Sequence, residues 1–271
     1  MLGRDLARAL AGRDVVALGR ADLDITDAKA LRDSLAGADA VINAAAYTRV
    51  DDAEVHEAAA LAVNGAGAGH AAAAAAAAGA AFVQLSTDYV FAGDATEPYA
   101  EDSPLAPVSA YGRTKAEGER RVRAAHPSPF IVRTAWLYGE HGPNFPRTML
   151  QLAARRETVD VVTDQIGQPT WTVDLARAIV SLLDSGAAPG TFHGTNSGRA
   201  SWYDFAREVF RLAGLDPERV RPTDSTAFVR PAPRPAYSVL GHDAWARVGL
   251  DPPRPWQDAL GAAFAEGDLF A

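Results

Sequence analysis

Short runs of continuous apolar residues, each separated from the next by a helical stretch, constrain this chain most. The runs are 15–18 (Val-Val-Ala-Leu), 40–43 (Ala-Val-Ile-Asn), 81–86 (Ala-Phe-Val-Gln-Leu-Ser) and 130–133 (Phe-Ile-Val-Arg). A strand with one wet face alternates apolar and polar residues. These runs do not, so both of their faces must be covered. Helices are predicted over 2–10, ending at Gly12, and over 27–35, capped by Asp27 and closed by Gly37. Further helices are predicted in the alanine-rich stretch around 71–78 and over 114–125. Such alternation makes a parallel sheet with helices on both faces, the Rossmann-type doubly wound α/β architecture. From about Asn144 the pattern loosens. Short strands at 158–162 and 191–194 lie among helices over 171–183 and 202–213, and 219–237 is rich in Pro and Arg. Residues 1–143 therefore read as the sheet domain. Residues 144–271 read mainly as a smaller lobe on the sheet's C-terminal edge, with some elements returning to the sheet.

The 271 residues carry a net charge of −8, the opposite of the basic face that binds nucleic acid. An anionic small ligand remains compatible, since a few placed arginines bind one. The chain has no cysteine, which excludes disulfides, thiolate chemistry and zinc sites with Cys ligands. The one long apolar run, Ala71–Ala78, is alanine flanked by Gly65, Gly67, Gly69 and Gly79. It reads as a small-residue helix packed on a sheet and not as a membrane span. No stretch has the form of a secretory signal, so a cytoplasmic location is expected. Scattered acidic residues permit Mg²⁺ but indicate no metal site. The oligomer is expected to be no larger than a homodimer.

The opening residues depart from the pattern. A doubly wound dinucleotide fold begins with a strand and a Gly-rich turn, whereas Met1-Leu2-Gly3 already leads into a helix. Residues 15–18 then behave as a second strand. The sheet is expected to lack its first strand and most of the Gly-rich loop, with Gly3 as that loop's last glycine, allowing close helix–strand packing. Met1 is accordingly expected to be an internal methionine, with roughly ten residues upstream forming one strand and turn. The alternative is that the chain starts here and another segment fills the gap.

Tyr111-Gly112-Arg113-Thr114-Lys115 puts Tyr and Lys at i and i+4, on one helix face. A free tyrosine has a pKa near ~10, and a neighbouring ammonium lowers it. The phenol then protonates a carbonyl oxygen as hydride reaches carbon. Alone, the spacing also describes an ordinary exposed pair. Ser86-Thr87-Asp88-Tyr89 changes the reading, because it follows a buried strand at its C-terminal end, where open α/β sheets bind ligands. Thr87, Tyr111 and Lys115 thus read as the proton-handling centre of a nicotinamide-dependent carbonyl reductase. Asn43, Ala44, Ala45 and Ala46 also end a strand, and their small side chains let a flat cofactor approach, tight packing being the alternative. Arg20, after Gly19, is placed to meet a 2′-phosphate, which favours NADPH and leaves NADH open. A solvated surface arginine is the other reading.

These residues lie in segments that together resemble a known family. Residues 43–48 (Asn-Ala-Ala-Ala-Tyr-Thr), 86–91 (Ser-Thr-Asp-Tyr-Val-Phe), 111–115, 133–139 (Arg-Thr-Ala-Trp-Leu-Tyr-Gly), 164–170 (Asp-Gln-Ile-Gly-Gln-Pro-Thr) and 234–238 (Arg-Pro-Ala-Tyr-Ser) are similar to dTDP-4-dehydrorhamnose reductases, extended short-chain dehydrogenases/reductases. The resemblance implies reduction of dTDP-4-dehydro-L-rhamnose to dTDP-L-rhamnose by NAD(P)H. It makes residues 1–143 the dinucleotide-binding domain and the rest the substrate lobe. It implies that Tyr111 donates the proton, Lys115 orients the ribose and tunes Tyr111, and Thr87 binds the reacting oxygen. It further implies that Asp88 and Trp136 contact the sugar, that Asp24 and Ile25 flank adenine, and that Asn64 joins residues 43–46 along the cofactor. Arg230 and Arg234 are assigned to pyrophosphate, against the alternative of a solvated Pro-rich loop. Other functions on the same scaffold are a regulatory subunit of the kind that partners methionine adenosyltransferase, or another nucleotide-sugar epimerase or dehydratase. Segments 133–136 and 164–170 favour the reductase.

Overall fold

The central sheet of this computed structural model, which describes residues 1–267, has four parallel strands. Residues 268–271 of the expected C-terminal lobe lie outside the described residues. Helix α1 (Leu2–Ala9) and α2 (Ala28–Ser34) precede β1 (Ala40–Asn43). The Asp27 side chain accepts hydrogen bonds from the amides of Lys29 and Ala30, as its position at the helix start predicts. Short helices α3 (Val50–Ala53) and α4 (Glu57–Leu61) follow, then a π-helical segment (Ala62–Gly67) that runs into α5 (Ala68–Ala78). Next come β2 (Ala81–Thr87), α6 (Ala110–Ala125) and β3 (Pro129–Thr134). Then follow β4 (Leu137–Tyr138), α7 (Phe145–Ala153), β5 (Val159–Val162), β6 (Ile166–Gly167) and β7 (Thr170–Trp171). Helix α8 (Thr172–Asp184) and β8 (Thr191–His193) return to the sheet, whose order is β1-β2-β3-β8.

The strands explain the continuous apolar runs. Val83, Leu85, Phe130 and Val132 face α1 and α8 through Leu2, Leu6, Leu175 and Ile179. Phe82 and Ile131 face the other way, onto Leu31, the alanines of α5 and Val122 of α6. Successive residues of one strand thus enter opposite cores. The remaining elements, β9 (Ala200–Ser201), α9 (Trp202–Leu212), β10 (Val220–Thr223), α10 (Asp243–Arg247) and α11 (Trp256–Ala265), complete the chain. Tyr138, Trp171, Phe205, Phe210 and Trp256 gather into a separate core. No helix among the described residues is long and apolar enough to cross a membrane.

One expected strand is not formed. Residues 15–18 belong to no strand and pair with none of the described residues, with Val16 78% exposed. An apolar run becomes a strand only when a neighbour takes up its backbone hydrogen bonds. Strand β1 pairs with β2 on one side, and no strand of the described residues flanks its other side. Gly3 does not serve close packing either. It is exposed, and a β-carbon added there meets nothing within 4 Å, because α1 buries Leu2 and Leu6 instead.

Helix α6 is seated unusually close to its neighbours. A β-carbon on Gly118 would lie 2.1 Å from the Asn64 carbonyl oxygen of the π-helical segment. Gly118→Ala is expected to push α6 outward and to cost about 1–3 kcal/mol of stability. Urea denaturation measures this, and an unchanged midpoint would show that the contact is soft.

Candidate active site

Strand β2 ends at Thr87, and the chain turns at once into a 3₁₀ segment, Asp88–Val90. The Thr87 hydroxyl caps that turn by accepting from the Tyr89 amide at 3.2 Å, and donates to Asp88 Oδ1 at 2.9 Å. Helix α6 begins beside it. Ser109 caps the helix by accepting from the Gly112 amide at 3.1 Å, and Glu54 takes the Ala110 amide at 2.8 Å. Gly112 has to be glycine here, since a β-carbon would sit 2.2 Å from the Tyr89 carbonyl oxygen. That approach brings Tyr111 to the strand end. Its ring meets the Tyr89 ring edge-on at 5.7 Å. One turn on, Lys115 is buried and its Nζ donates to the Leu85 carbonyl at 2.6 Å.

The electrostatics differ from the sequence expectation in one respect. Burial, and then the nearby Asp88 carboxyl, push the Tyr111 phenol up from its ordinary value, while the Thr87 hydroxyl beside it pulls the other way. The Lys115 ammonium one turn on, which donates to the Leu85 carbonyl, does not reverse this direction. Burial lowers Lys115 itself to about 8, against the pull of Glu119. Burial raises the Asp88 carboxyl to about 6, offset in part by the neighbouring hydroxyls of Ser238 and Thr87. Asp88 Oδ2 is buried without a hydrogen-bond partner.

The loop after β1 forms the adjoining wall. Asn43 Nδ2 donates to Gln84 Oε1 at 2.8 Å, and Asn43 Oδ1 accepts from the Ala45 amide at 3.1 Å. Asn64, presented by the π-helical segment, brackets Tyr47: its Oδ1 accepts from the Tyr47 amide at 2.8 Å and its Nδ2 donates to the Tyr47 carbonyl at 3.1 Å. π-Helical insertions often mark functional positions. Between these anchors Ala44 and Ala45 are exposed, a ledge with little side chain.

The other expected residues are spread more widely. Trp136 is the one non-glycine residue with positive φ among the described residues, at 45°. Its ring stacks on Trp202 at 3.6 Å between ring centroids and also lies on Gly167, where a β-carbon would be 2.6 Å from the indole. Strain of this kind persists only where the surroundings hold it. Arg234 is pinned by Asp51 at 2.8 Å, and its charge reaches Tyr89. Arg230 is exposed. Arg20 is exposed and its charge is felt by Asp24, whose carboxylate binds the Thr26 amide and hydroxyl. Ile25 packs on Gly67. Among the described residues no hydrogen bond or ion pair joins Gly3 or Arg20 to Thr87, Tyr111 or Lys115. No group of three or more His, Asp or Glu residues is placed to hold a metal ion among the described residues. Sequence reasoning missed Ser238, fully buried beside Asp88, and Glu119, fully buried below Lys115. Glu119 had a readable signal: Tyr111, Lys115 and Glu119 repeat every four residues along one helix face.

Residues 1–268 match the model of the RmlD substrate binding domain. The chain belongs to this family. Among its relatives, a dTDP-4-keto-6-deoxy-D-glucose reductase of Streptomyces niveus is 53% identical over 97% of this chain and 93% of its own. A dTDP-4-dehydrorhamnose reductase of Streptomyces griseus is 51% identical over 97% of this chain and 90% of its own. The crystal structure of a dTDP-4-dehydrorhamnose reductase from Bacillus anthracis in complex with NADP superposes with a TM-score of 0.94 at 38% identity, covering 98% of this chain and 95% of that one.

In this RmlD-family chain Asp88 sets a testable cost. A carboxyl ordinarily titrates near 3.8, and in the folded chain Asp88 titrates near 6. Between those values the folded state holds a proton that the unfolded state has lost, so stability falls as pH rises through this window. Above it the full penalty stands, on the order of 3 kcal/mol. Asp88→Asn is expected to be more stable than the parent at pH 8, by about 1–3 kcal/mol, with the gain shrinking below pH 5. Thermal unfolding across pH checks this, and an equal loss of stability at both ends contradicts it.

Proposed function

We propose that this chain reduces the 4-keto group of a dTDP-linked 6-deoxysugar with a nicotinamide cofactor, converting dTDP-4-dehydro-L-rhamnose to dTDP-L-rhamnose. The observation that carries the reading is the seating of the Tyr111 phenol against Thr87 at the end of β2, with the Lys115 ammonium buried one turn below. Relatives at half identity named as reductases of dTDP-linked keto sugars support it. In this reading residues 1–143 hold the cofactor and residues 144–271 mainly hold the sugar nucleotide.

The residues present fit the nicotinamide end of such a cofactor. The exposed Ala44–Ala45 ledge lies at the C-terminal end of β1, beside β2 and its terminal Thr87. Ala46, Asn43 and Asn64 fix its edges, and Lys115 is assigned to a ribose hydroxyl. When bound, the reduced nicotinamide supplies the hydride. Arg20 and Gly19 at the adenosine end favour NADPH, and the NADP-bound relative supports that choice. Gly3, Asp24 and Ile25 are assigned to the same half of the cofactor.

The chain's own residues handle the oxygen and the proton. Thr87 holds the carbonyl oxygen. Tyr111, kept protonated at neutral pH by its burial, gives its proton to that oxygen. The Lys115 ammonium, largely charged at neutral pH, stabilises the phenolate left behind. Asp88 and Trp136 hold the sugar ring, and Arg234 with Arg230 takes the pyrophosphate.

Purified protein mixed with NADPH and dTDP-4-dehydro-L-rhamnose is expected to lose reduced-nicotinamide absorbance. A parallel reaction with dTDP-4-keto-6-deoxy-D-glucose measures the preference between sugars, and no turnover with either defeats the reductase reading. Tyr111→Phe is expected to lower kcat by about 10²–10⁴-fold while leaving NADPH binding intact. An unchanged rate would remove Tyr111 from its role.

A further inference from the structure

The chain contains two lysines, Lys29 and Lys115, among its 26 basic residues. Lys29 is exposed and pairs with Asp33. Lys115 is buried, and four residues further along the same helix lies Glu119, with a fully buried side chain. Burying a carboxylate is expensive unless it is fully paired, and this one is. Glu119 Oε1 accepts from the Ser86 hydroxyl at 2.6 Å and from Arg133 Nε at 2.9 Å. Its Oε2 accepts from Arg133 Nη2 at 2.9 Å and Arg123 Nη2 at 3.1 Å. Ser86 precedes Thr87 in β2, and Arg133 precedes Thr134 in β3. One carboxylate therefore ties α6, which carries Tyr111 and Lys115, to the strand end that carries Thr87.

We infer that Glu119 is a positioning residue for the Thr87, Tyr111 and Lys115 set. It locks the end of β2 to α6 from the buried side and sets a negative charge one helical turn from the Lys115 ammonium. The inference rests on the reductase reading for its kinetic consequences, but not for its titration. The charged and titratable groups around the pair are few. Tyr111 and Glu119 flank Lys115 on α6, Asp88 lies beyond Tyr111, and Glu119 is approached by Arg123 along α6 and by Arg133 from β3. Arg133 Nη1 in turn faces His193 Nε2 of β8 at 3.3 Å and donates to the Glu101 carbonyl at 2.9 Å. Burial, and then Arg133, lower His193 to about 3, so it stays neutral and adds no charge near neutral pH. Glu119 is thus the one group that opposes the effect of burial on Lys115.

Removing that charge lowers the Lys115 midpoint further, so the ammonium is lost at a lower pH. With ¹³C-ε-labelled lysine the ligand-free protein gives two titrating resonances, Lys29 serving as internal reference. Glu119→Gln is expected to move the Lys115 midpoint down by about one unit or more and leave Lys29 in place. The alkaline limb of kcat/KM should move by the same amount. At neutral pH kcat should fall about tenfold, with KM for the sugar nucleotide within about twofold. Glu119→Asp, which keeps the charge, should recover most of the titration shift and only part of kcat. An unmoved Lys115 midpoint in folded Glu119→Gln overturns the inference, since a merely structural role would lower stability alone. If that variant does not fold, Ser86→Ala tests the tether. A fall in kcat at unchanged KM supports it, and an unchanged kcat overturns it. The NMR readout uses neither substrate nor cofactor. A parent protein that titrates as described yet turns nothing over would defeat the reductase reading and leave the role of Glu119 standing.

Discussion

Everything at this site depends on how tightly α6 is pressed against the chain around it. Two of its residues have no room for a β-carbon: Gly112 against the Tyr89 carbonyl and Gly118 against the Asn64 carbonyl. The first contact sets Tyr111 beside Thr87. The second seats the helix on the π-helical segment that presents Asn64 to the β1 loop. Both contacts join backbone to backbone, so side-chain motion cannot relieve them, and the helix has little freedom to tilt. Interiors packed at crystal-like density transmit such a constraint with little loss.

The same tightness shapes the electrostatics. Water is excluded from the strand end, so Asp88, Tyr111 and Lys115 all shift towards their neutral forms, with burial as the largest cause each time. For the proton-donor role proposed for Tyr111 that direction is useful, because a donor has to hold its proton until it is needed. For the role proposed for Lys115 it is a liability, because the ammonium has to stay charged to stabilise a phenolate. The Glu119, Arg133 and Ser86 cluster lies on the side of the helix where that liability is met. A site that stores unfavourable burial in this way gives up stability for function, and Asp88 is its clearest case.

The sheet was readable because continuous apolar runs have few other homes, and β1, β2 and β3 fall where those runs lie, while β8 falls at the short strand expected over 191–194. Residues 15–18 show the limit of that logic. Their composition is that of a strand, but pairing is a property of the neighbours, and no periodicity reports it. Thr87, Tyr111 and Lys115 were legible because their chemistry is local to one strand end and one helix turn. Ser238 was not, since it comes to Asp88 from 150 positions further along the chain and has no periodic signal. The direction of the Tyr111 shift was misjudged for a related reason. Spacing showed that the lysine lies nearby, but not that burial and the Asp88 carboxyl would outweigh it at the strand end.

The central claim is that the Thr87 and Tyr111 strand end delivers a proton to the oxygen of a keto sugar while hydride reaches its carbon. Transfer of deuterium from NADPH labelled at nicotinamide C4 tests this most directly, with the sugar product read by NMR and mass spectrometry. The account predicts one deuterium, located at sugar C4, in the parent protein, and almost no labelled product from Tyr111→Phe. Label at another carbon, or full incorporation without the Tyr111 hydroxyl, would contradict it.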